Sequence, residues 1–551
     1  MVGRHRRPPS RPLSRIVAAA AILASAILAS TAPTAAAGFP ARDGAYHDYA
    51  ETLAEIKAVE AAHPAIVDVF KFGTSNRGMT IWAAKVSDNV AIDESEPEIL
   101  FDALHHAREH MTVEQALYTL HLLADNYGSD ARITGLVNSR EVWIVFALNP
   151  DGGEYDLTCT GSVRPPYCAW RKNRQPNPGS SYVGTDLNRN YDYRWGCCGG
   201  SSGNPASITY RGSGPFSATE ARVMRDFVNS RVKNGIQQIR AHVTFHTNGQ
   251  LILWPYGYTR TDIPSDMSVE DHTTFVTMGK AMASLNGYKA EQSSDLYITD
   301  GDQIDWMYGV HRIFSFTWEL YPPETSTVWG DHYPADENIA PQTARNRGAL
   351  LYLIDIGGCP YRAIAKEQTH CGAFNDDFEI YRAWDTNPYG TDTATNGVWV
   401  RRVPGPTSFS GHPIQLGTTP SGSQAMVTGG PSGTTANQYD LDGGTTTIRS
   451  APIKLPSKVG SLTFRYYLAH GPNSSTKDSF MAWVQVGSAR VRVFRDFGAG
   501  IVQPGKWMKV GVPLTNWAGQ TIRIVFTATD GGPDSLVEAG VDDVRIEQSS
   551  N

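Results

Sequence analysis

The feature that most constrains this chain is a change of texture at Gly358. Before it, apolar runs of strand character alternate with segments whose apolar residues recur at helical spacing. After it, short alternating runs at 378–382, 398–402, 461–467, 480–486, 490–494, 521–527 and 537–546 follow one another between turns rich in Thr, Ser, Gly and Pro. Strands alternating with helices build an α/β domain whose mixed, mostly parallel sheet is flanked by helices on both faces; short regular strands build an all-β sandwich or jelly roll. At 551 residues the chain exceeds what one core usually supports. The expected organisation is a leader at 1–37, an α/β domain at 38–357, a linker at 358–375 and a β-sandwich at 376–551.

The leader is read from Arg4, Arg6, Arg7, Arg11 and Arg15, which precede the apolar run 16–30 and the small residues Ala35-Ala36-Ala37. This is the pattern of a secretory signal peptide, and the run is shorter than the ~20 residues a membrane span needs. The chain is expected to be released, extracellular, from about Gly38. Six cysteines suit an oxidising compartment. Cys359 and Cys371 invite a bridge across the junction, adjacent Cys197 and Cys198 are expected to find partners elsewhere, and Cys159 and Cys168 are left unassigned. With 41% hydrophobic and 19% charged residues, the composition is that of an ordinary globular chain and gives no sign of a disordered or fibrous one. The net charge of −7 is mild and selects no partner, although a nucleic-acid binder would normally carry a basic face.

Along the α/β part, helical spacing at 49–63 stops at Pro64, and strands are expected at 66–72, 79–86, 98–104, 142–148 and 313–320. Asn149-Pro-Asp-Gly152 reads as a turn. Thr112-Val-Glu-Gln115 and Ser217-Ala-Thr-Glu220 read as capping boxes opening helices, and further helices are expected at 271–285 and 340–356.

The chemistry starts at the end of the strand at 98–104, where His105, His106, Glu109 and His110 crowd a strand-to-helix crossover. In open α/β sheets, sites form outside the carboxyl ends of strands. A catalytic zinc takes three nitrogen or carboxylate ligands and keeps a position for water. His106 and Glu109, spaced H-x-x-E, supply two, and His246 at the end of the strand-like run 241–246 is the natural third. Alone this is a weak signal, since H-x-x-E recurs by chance and a strand-end histidine is commonly a polar cap. Two further clusters, Trp170-Arg-Lys-Asn-Arg174 and Asp186-Leu-Asn-Arg-Asn190, bring guanidinium groups and carboxamides into one long loop. Guanidinium forks hold carboxylates or developing oxyanions. Glu319 sits in an apolar strand, where burial should raise its pKa toward that of a general base.

Together, His106-Ala-Arg-Glu109, Asn149-Pro-Asp-Gly152, Trp170-Arg-Lys-Asn-Arg174, Asp186-Leu-Asn-Arg-Asn190, Phe245-His246, Tyr297 and Phe316-Thr-Trp-Glu319 resemble the zinc carboxypeptidases of the funnelin (M14) type in order and spacing. The run 296–306 and Cys197-Cys198-Gly-Gly look closest to the branch of secreted bacterial carboxypeptidase T. The resemblance covers about 42–357. It implies one zinc held by His106, Glu109 and His246, with Asp186 orienting the first histidine and Glu319 as general base. It further implies Arg174 at the oxyanion, Asn188 and Arg189 clamping the substrate's terminal carboxylate, Tyr297 closing over it, and Arg171 among the substrate-binding groups. His105 and His110 fit neither register and are read as flanking polar residues. Ile304 as an apolar wall with Asp302 beside it implies a pocket for apolar and basic C-terminal residues.

Two departures stand out. No inhibitory propeptide is expected before Tyr46, and Asn248 stands where the pancreatic-type enzymes carry an aromatic residue. The expected activity is a secreted zinc metallocarboxypeptidase hydrolysing the last peptide bond of peptides and proteins. The competing readings are a peptidoglycan peptidase of the same superfamily and an inactive carboxypeptidase-like binding protein. The expected partners are peptide substrates and, for the β-sandwich, a polymer or carbohydrate, with no nucleic acid and no membrane, on a monomer.

Overall fold

The computed structural model describes residues 38–548, apart from 95, 234, 380 and 432–434; the leader expected at 1–37 lies outside the described residues. An eight-stranded sheet is built from β1 (Val67–Thr74), β2 (Thr80–Val86), β3 (Glu98–Asp102), β4 (Glu141–Val145), β5 (Ile239–Thr247), β6 (Leu251–Trp254), β7 (Lys289–Gln292) and β8 (Phe314–Leu320), in the order β1-β2-β4-β3-β5-β8-β6-β7. β4, β3, β5 and β8 run parallel, and β1, β2 and β6 introduce antiparallel pairings. The central strands are apolar on both faces, as strands buried under two helical layers must be: Ile99, Leu100, Phe101, Val243, Phe245, Phe316 and Trp318 are all fully buried.

One face packs under α1 (Tyr49–Ala62), α2 (Met111–Ala124), α4 (Val269–Asn286) and α6 (Arg347–Ile356), the other under α3 (Thr219–Ser230) and α5 (Gln303–His311). Local sequence explains most boundaries. Asp48 and Glu51 close a capping box on α1, Ser268 caps α4, and Gly287 ends α4 in the left-handed conformation that glycine adopts without cost.

Several local expectations are corrected. Thr112 lies inside α2, whose N-cap His110 makes no side-chain cap; the threonine hydroxyl instead accepts from Leu104 N and donates to Glu109 O, tying the helix to the preceding loop. Ser217 is likewise no cap for α3, because its hydroxyl accepts from Asn190 and Glu220 accepts from Asn76 N and Asn173. Asn149-Pro-Asp-Gly152 opens a short helix, Pro150–Asp156, with Asn149 Oδ1 accepting from Gly152 N. The helix expected at 340–356 breaks at Asn346 into Ile339–Arg345 and α6.

Beyond Cys371 the described elements are strands, apart from one 3-10 turn at Thr515–Trp517. β9 (Gly444–Arg449), β11 (Ser479–Val486), β12 (Ala489–Phe497) and β14 (Thr521–Asp530) form one antiparallel sheet; β10 (Val459–His470), β13 (Met508–Pro513) and β15 (Val537–Gln548) form most of a second. Their inner faces share one core, with Phe464, Leu468, Val541 and Ile546 from one sheet meeting Phe480, Val484, Ile524 and Phe526 from the other. The run at 378–382 forms no strand among its described residues, because the carbonyls of Phe378 and Glu379 are taken by the Arg401 guanidinium. Cys359 and Cys371 are bridged as expected, and Cys159 pairs with Cys168. Cys197 and Cys198 are bonded to each other rather than to distant partners, the other four being already joined.

Candidate active site

Parallel pairing brings the working residues to one edge of the sheet. In the β5–β8 register Glu319 lies opposite His246, and in the β3–β5 register Asp102 lies opposite Thr244, so the loop after β3 opens beside His246. That loop carries His106 and Glu109 into the start of α2. His106 Nδ1 is 2.8 Å from Glu109 Oε1, His246 Nδ1 is 3.0 Å from Glu109 Oε2, and the two Nδ1 atoms stand 3.1 Å apart. Two imidazole nitrogens this close can share at most one proton, so the trio is arranged as three donors converging on a point. Burial alone would raise the Glu109 carboxyl, but His106 and His246 outweigh it and hold it well below the usual range. His246 is pushed down to about 4, first by burial, and so stays neutral as a ligand must. Behind the trio, His106 Nε2 lies 3.1 Å from Asp186 Oδ1, and Arg171 Nε donates to Asp186 Oδ2 at 3.0 Å. A carboxylate behind an imidazole fixes its tautomer. Two imidazoles, the first braced by Asp186, and a carboxylate held well below its usual range fit zinc.

The trio opens onto a cavity of about 500 Å³, lined among others by Arg108, Arg171, Asn188, Arg189, Tyr297, Asp302 and Glu319. The Glu319 carboxyl is pushed well above the usual range, first by burial and then by Glu109, while Arg171 and Arg189 pull the other way. Arg189 is 2% exposed, donates to Gly200 O (2.9 Å) and Asn188 O (2.6 Å), and makes no ion pair among the described residues. A buried guanidinium without a direct ion pair is costly, and this one borders an open cavity. The Asn188 side-chain oxygen accepts from Gln303 N, and half-exposed Tyr297 stands with its ring 5.9 Å from the Arg189 guanidinium carbon.

Arg174 is not brought to this cavity. Its guanidinium carbon stacks 3.4 Å from the Tyr155 ring centroid and 4.6 Å from that of Trp170, and Arg171 takes the place expected of it beside the trio. Ile304 is also elsewhere, buried within α5, and the apolar wall comes from Leu251 and Leu253. Asp302 does line the cavity, though its oxygens are engaged with Thr299 Oγ1 and with Asp305 N at the start of α5. His105 and His110 are bound to Asp102 and Asp156; the His105 ring lies 5.5 Å from that of His246, but neither histidine joins the trio. His332 joins the cavity wall through a 3.0 Å contact with Thr247 Oγ1, and burial pushes it down to about 3. Nothing in its local sequence marked it, because a short helix distant in the chain, Val328–His332, delivers it.

A family model described as zinc carboxypeptidase matches residues 52–347. The chain is 46% identical over 328 residues to a protein named zinc carboxypeptidase from Saccharothrix mutabilis subsp. capreolus, covering 60% of this chain and 73% of that protein. It is 34% identical over 282 residues to carboxypeptidase A2 of Mus musculus, covering 50% of this chain and 63% of that one. Among solved structures, that of thrombin activatable fibrinolysis inhibitor superposes with a TM-score of 0.50 at 25% identity, covering 57% of this chain and 74% of that chain.

Proposed function

The chain belongs to the zinc carboxypeptidase family, and from that premise we propose a secreted exopeptidase that hydrolyses the last peptide bond of peptides and proteins. The observation that carries the exopeptidase reading is Arg189, buried, unpaired and on the wall of the cavity that holds the metal trio. A free C-terminal carboxylate supplies its missing ion pair and sets the last peptide bond in register. His106, Glu109 and His246 would hold the zinc, which when bound supplies Lewis acidity and a water of pKa near 7.

The protein's own groups do the rest. Glu319, raised by burial and by Glu109, takes the proton of the attacking water and returns it to the leaving amine. Arg171, braced by Asp186, faces the charge that develops on the scissile carbonyl oxygen, the role first expected of Arg174. Asn188 and Arg189 hold the terminal carboxylate, and Tyr297 swings over it to exclude water. The C-terminal side chain enters between Leu251, Leu253 and Asp302, so apolar residues and Lys or Arg are both accepted. The separate cores support reading 38–357 as the catalytic domain and 376–551 as a β-sandwich accessory domain.

The test is release of C-terminal Phe and Lys from two blocked dipeptides by the full chain and by Glu319→Gln. Release of both, lost in the variant with the fold intact, supports the proposal. No release from either by the zinc-loaded protein contradicts it.

A further inference from the structure

The outer face of the sheet β9-β14-β11-β12 carries a concentration of arginine over aromatic rings that the catalytic reading does not use. Along β11, Phe480, Ala482 and Val484 point into the sandwich and are fully buried, so Met481, Trp483 and Gln485 face outward. Cross-strand register then sets their neighbours. Met481 lies opposite Arg495, Trp483 opposite Arg492, and Gln485 opposite Arg490 on β12. On the other side Gln485 lies opposite Arg523 of β14, and Trp483 opposite Val525, which pairs with Arg449 of β9. Five guanidinium groups therefore share one face. Asp385 pairs with Arg449 at 2.9 Å and approaches Arg523 at 4.0 Å; Arg490, Arg492 and Arg495 are exposed and make no ion pair among the described residues.

The rings are interleaved with these charges. Arg490 lies 4.5 Å from the Tyr389 ring and 5.7 Å from Trp483, and Arg492 lies 5.8 Å from Trp483. Arg449 lies 5.3 Å from Tyr389, whose hydroxyl donates to Gln485 Oε1. Arg495 stands 5.4 Å from the ring of exposed Phe497. β12 is an edge strand, and edge strands are often charged to prevent pairing with another chain. That purpose needs charge along the edge only. Here the arginines continue across the face to β9 and β14, around the half-buried rings of Trp483 and Tyr389.

We infer that this face binds an acidic polysaccharide. Its sugar rings would stack on Trp483 and Tyr389 while its carboxylates take the free forks of Arg490, Arg492 and Arg495, which span about 17 Å along β12 at ~3.3 Å per residue. On a chain with a net charge of −7, such a face is a local reversal of sign that attracts a polyanion and not a second copy of the chain. The surface lies in the C-terminal sheets and does not depend on the catalytic reading.

The experiment measures binding of the full chain to immobilised polygalacturonate at low ionic strength, with polyphosphate as the sugar-free polyanion. Wild-type binding should be released by salt, and Arg490→Gln/Arg492→Gln/Arg495→Gln should bind on the order of 10- to 100-fold more weakly at an unchanged thermal midpoint. Trp483→Leu and, independently, Tyr389→Leu should weaken binding to polygalacturonate but not to polyphosphate. The inference is overturned if the wild type does not bind polygalacturonate, if the triple variant binds as tightly as the wild type, or if polyphosphate binds equally well and neither aromatic substitution discriminates.

Discussion

Replacing Arg189 with Met should abolish the preference for a free C-terminal carboxylate while leaving the metal trio intact. Two of the five guanidinium donors are committed to Gly200 O and Asn188 O, which leaves three for a substrate. A hydrogen bond to a charged partner contributes about 1.5–3 kcal/mol, or on the order of 10- to 100-fold in kcat/KM. Hydrolysis of a blocked dipeptide ending in free Phe should fall by that factor in Arg189→Met, and hydrolysis of the matching Phe amide should barely change. Arg189→Lys should fall between, because an ammonium keeps the charge and loses the fork. Methionine fills similar space, so thermal unfolding verifies that the variant remains folded. A folded Arg189→Met protein that still prefers the free acid over the amide by the wild-type ratio would refute the role given to this residue.

Asp186→Asn should weaken zinc binding about 10- to 100-fold, since the carboxylate that orients His106 is lost; competition with a chromophoric chelator reads this, and unchanged affinity would remove Asp186 from the metal centre. Arg231→Met should destabilise the fold by about 3–5 kcal/mol in denaturant unfolding, because it strands Glu98, which is fully buried and held at 2.5 and 2.8 Å by that guanidinium. A loss below 1 kcal/mol would show that the buried acid is tolerated unpaired. Burial, followed by Asp543, pushes the carboxyl of Asp542 up to about 10. The folded state therefore holds this proton more tightly than the unfolded chain, whose carboxyl titrates near 3.9. Stability from this group is complete below about pH 4 and is lost as pH rises toward 10, at about 1.4 kcal/mol per pH unit. Asp542→Asn should accordingly raise the thermal midpoint more at pH 8 than at pH 5, and an equal change at both would contradict the sign.

The parts of this molecule that were legible in the sequence are those governed by period and strand-end placement. The apolar runs of β3, β5 and β8 required a sheet covered on both faces, and their parallel pairing brought His106, Glu109, His246 and Glu319 to one edge as their positions in those runs implied. What spacing does not encode is the path of a loop. Arg171 and Arg174 are three residues apart and chemically identical, yet Asp186 draws the first into the cavity and the rings of Tyr155 and Trp170 hold the second outside it. Thr112 and Ser217 have the chemistry of helix caps, but tertiary partners at Leu104 and Asn190 compete for their hydroxyls. Asp302 and Ile304 are two residues apart at the start of α5, and only the first faces the cavity.

The most direct test of the account is zinc content measured by mass spectrometry on the purified full chain, in parallel with release of Phe from a blocked dipeptide. One zinc per chain is expected, with removal of metal and activity together by a chelator, return of both on adding zinc, and loss of both in His106→Ala. Full Phe release by zinc-free protein, or undiminished zinc in His106→Ala, would contradict it.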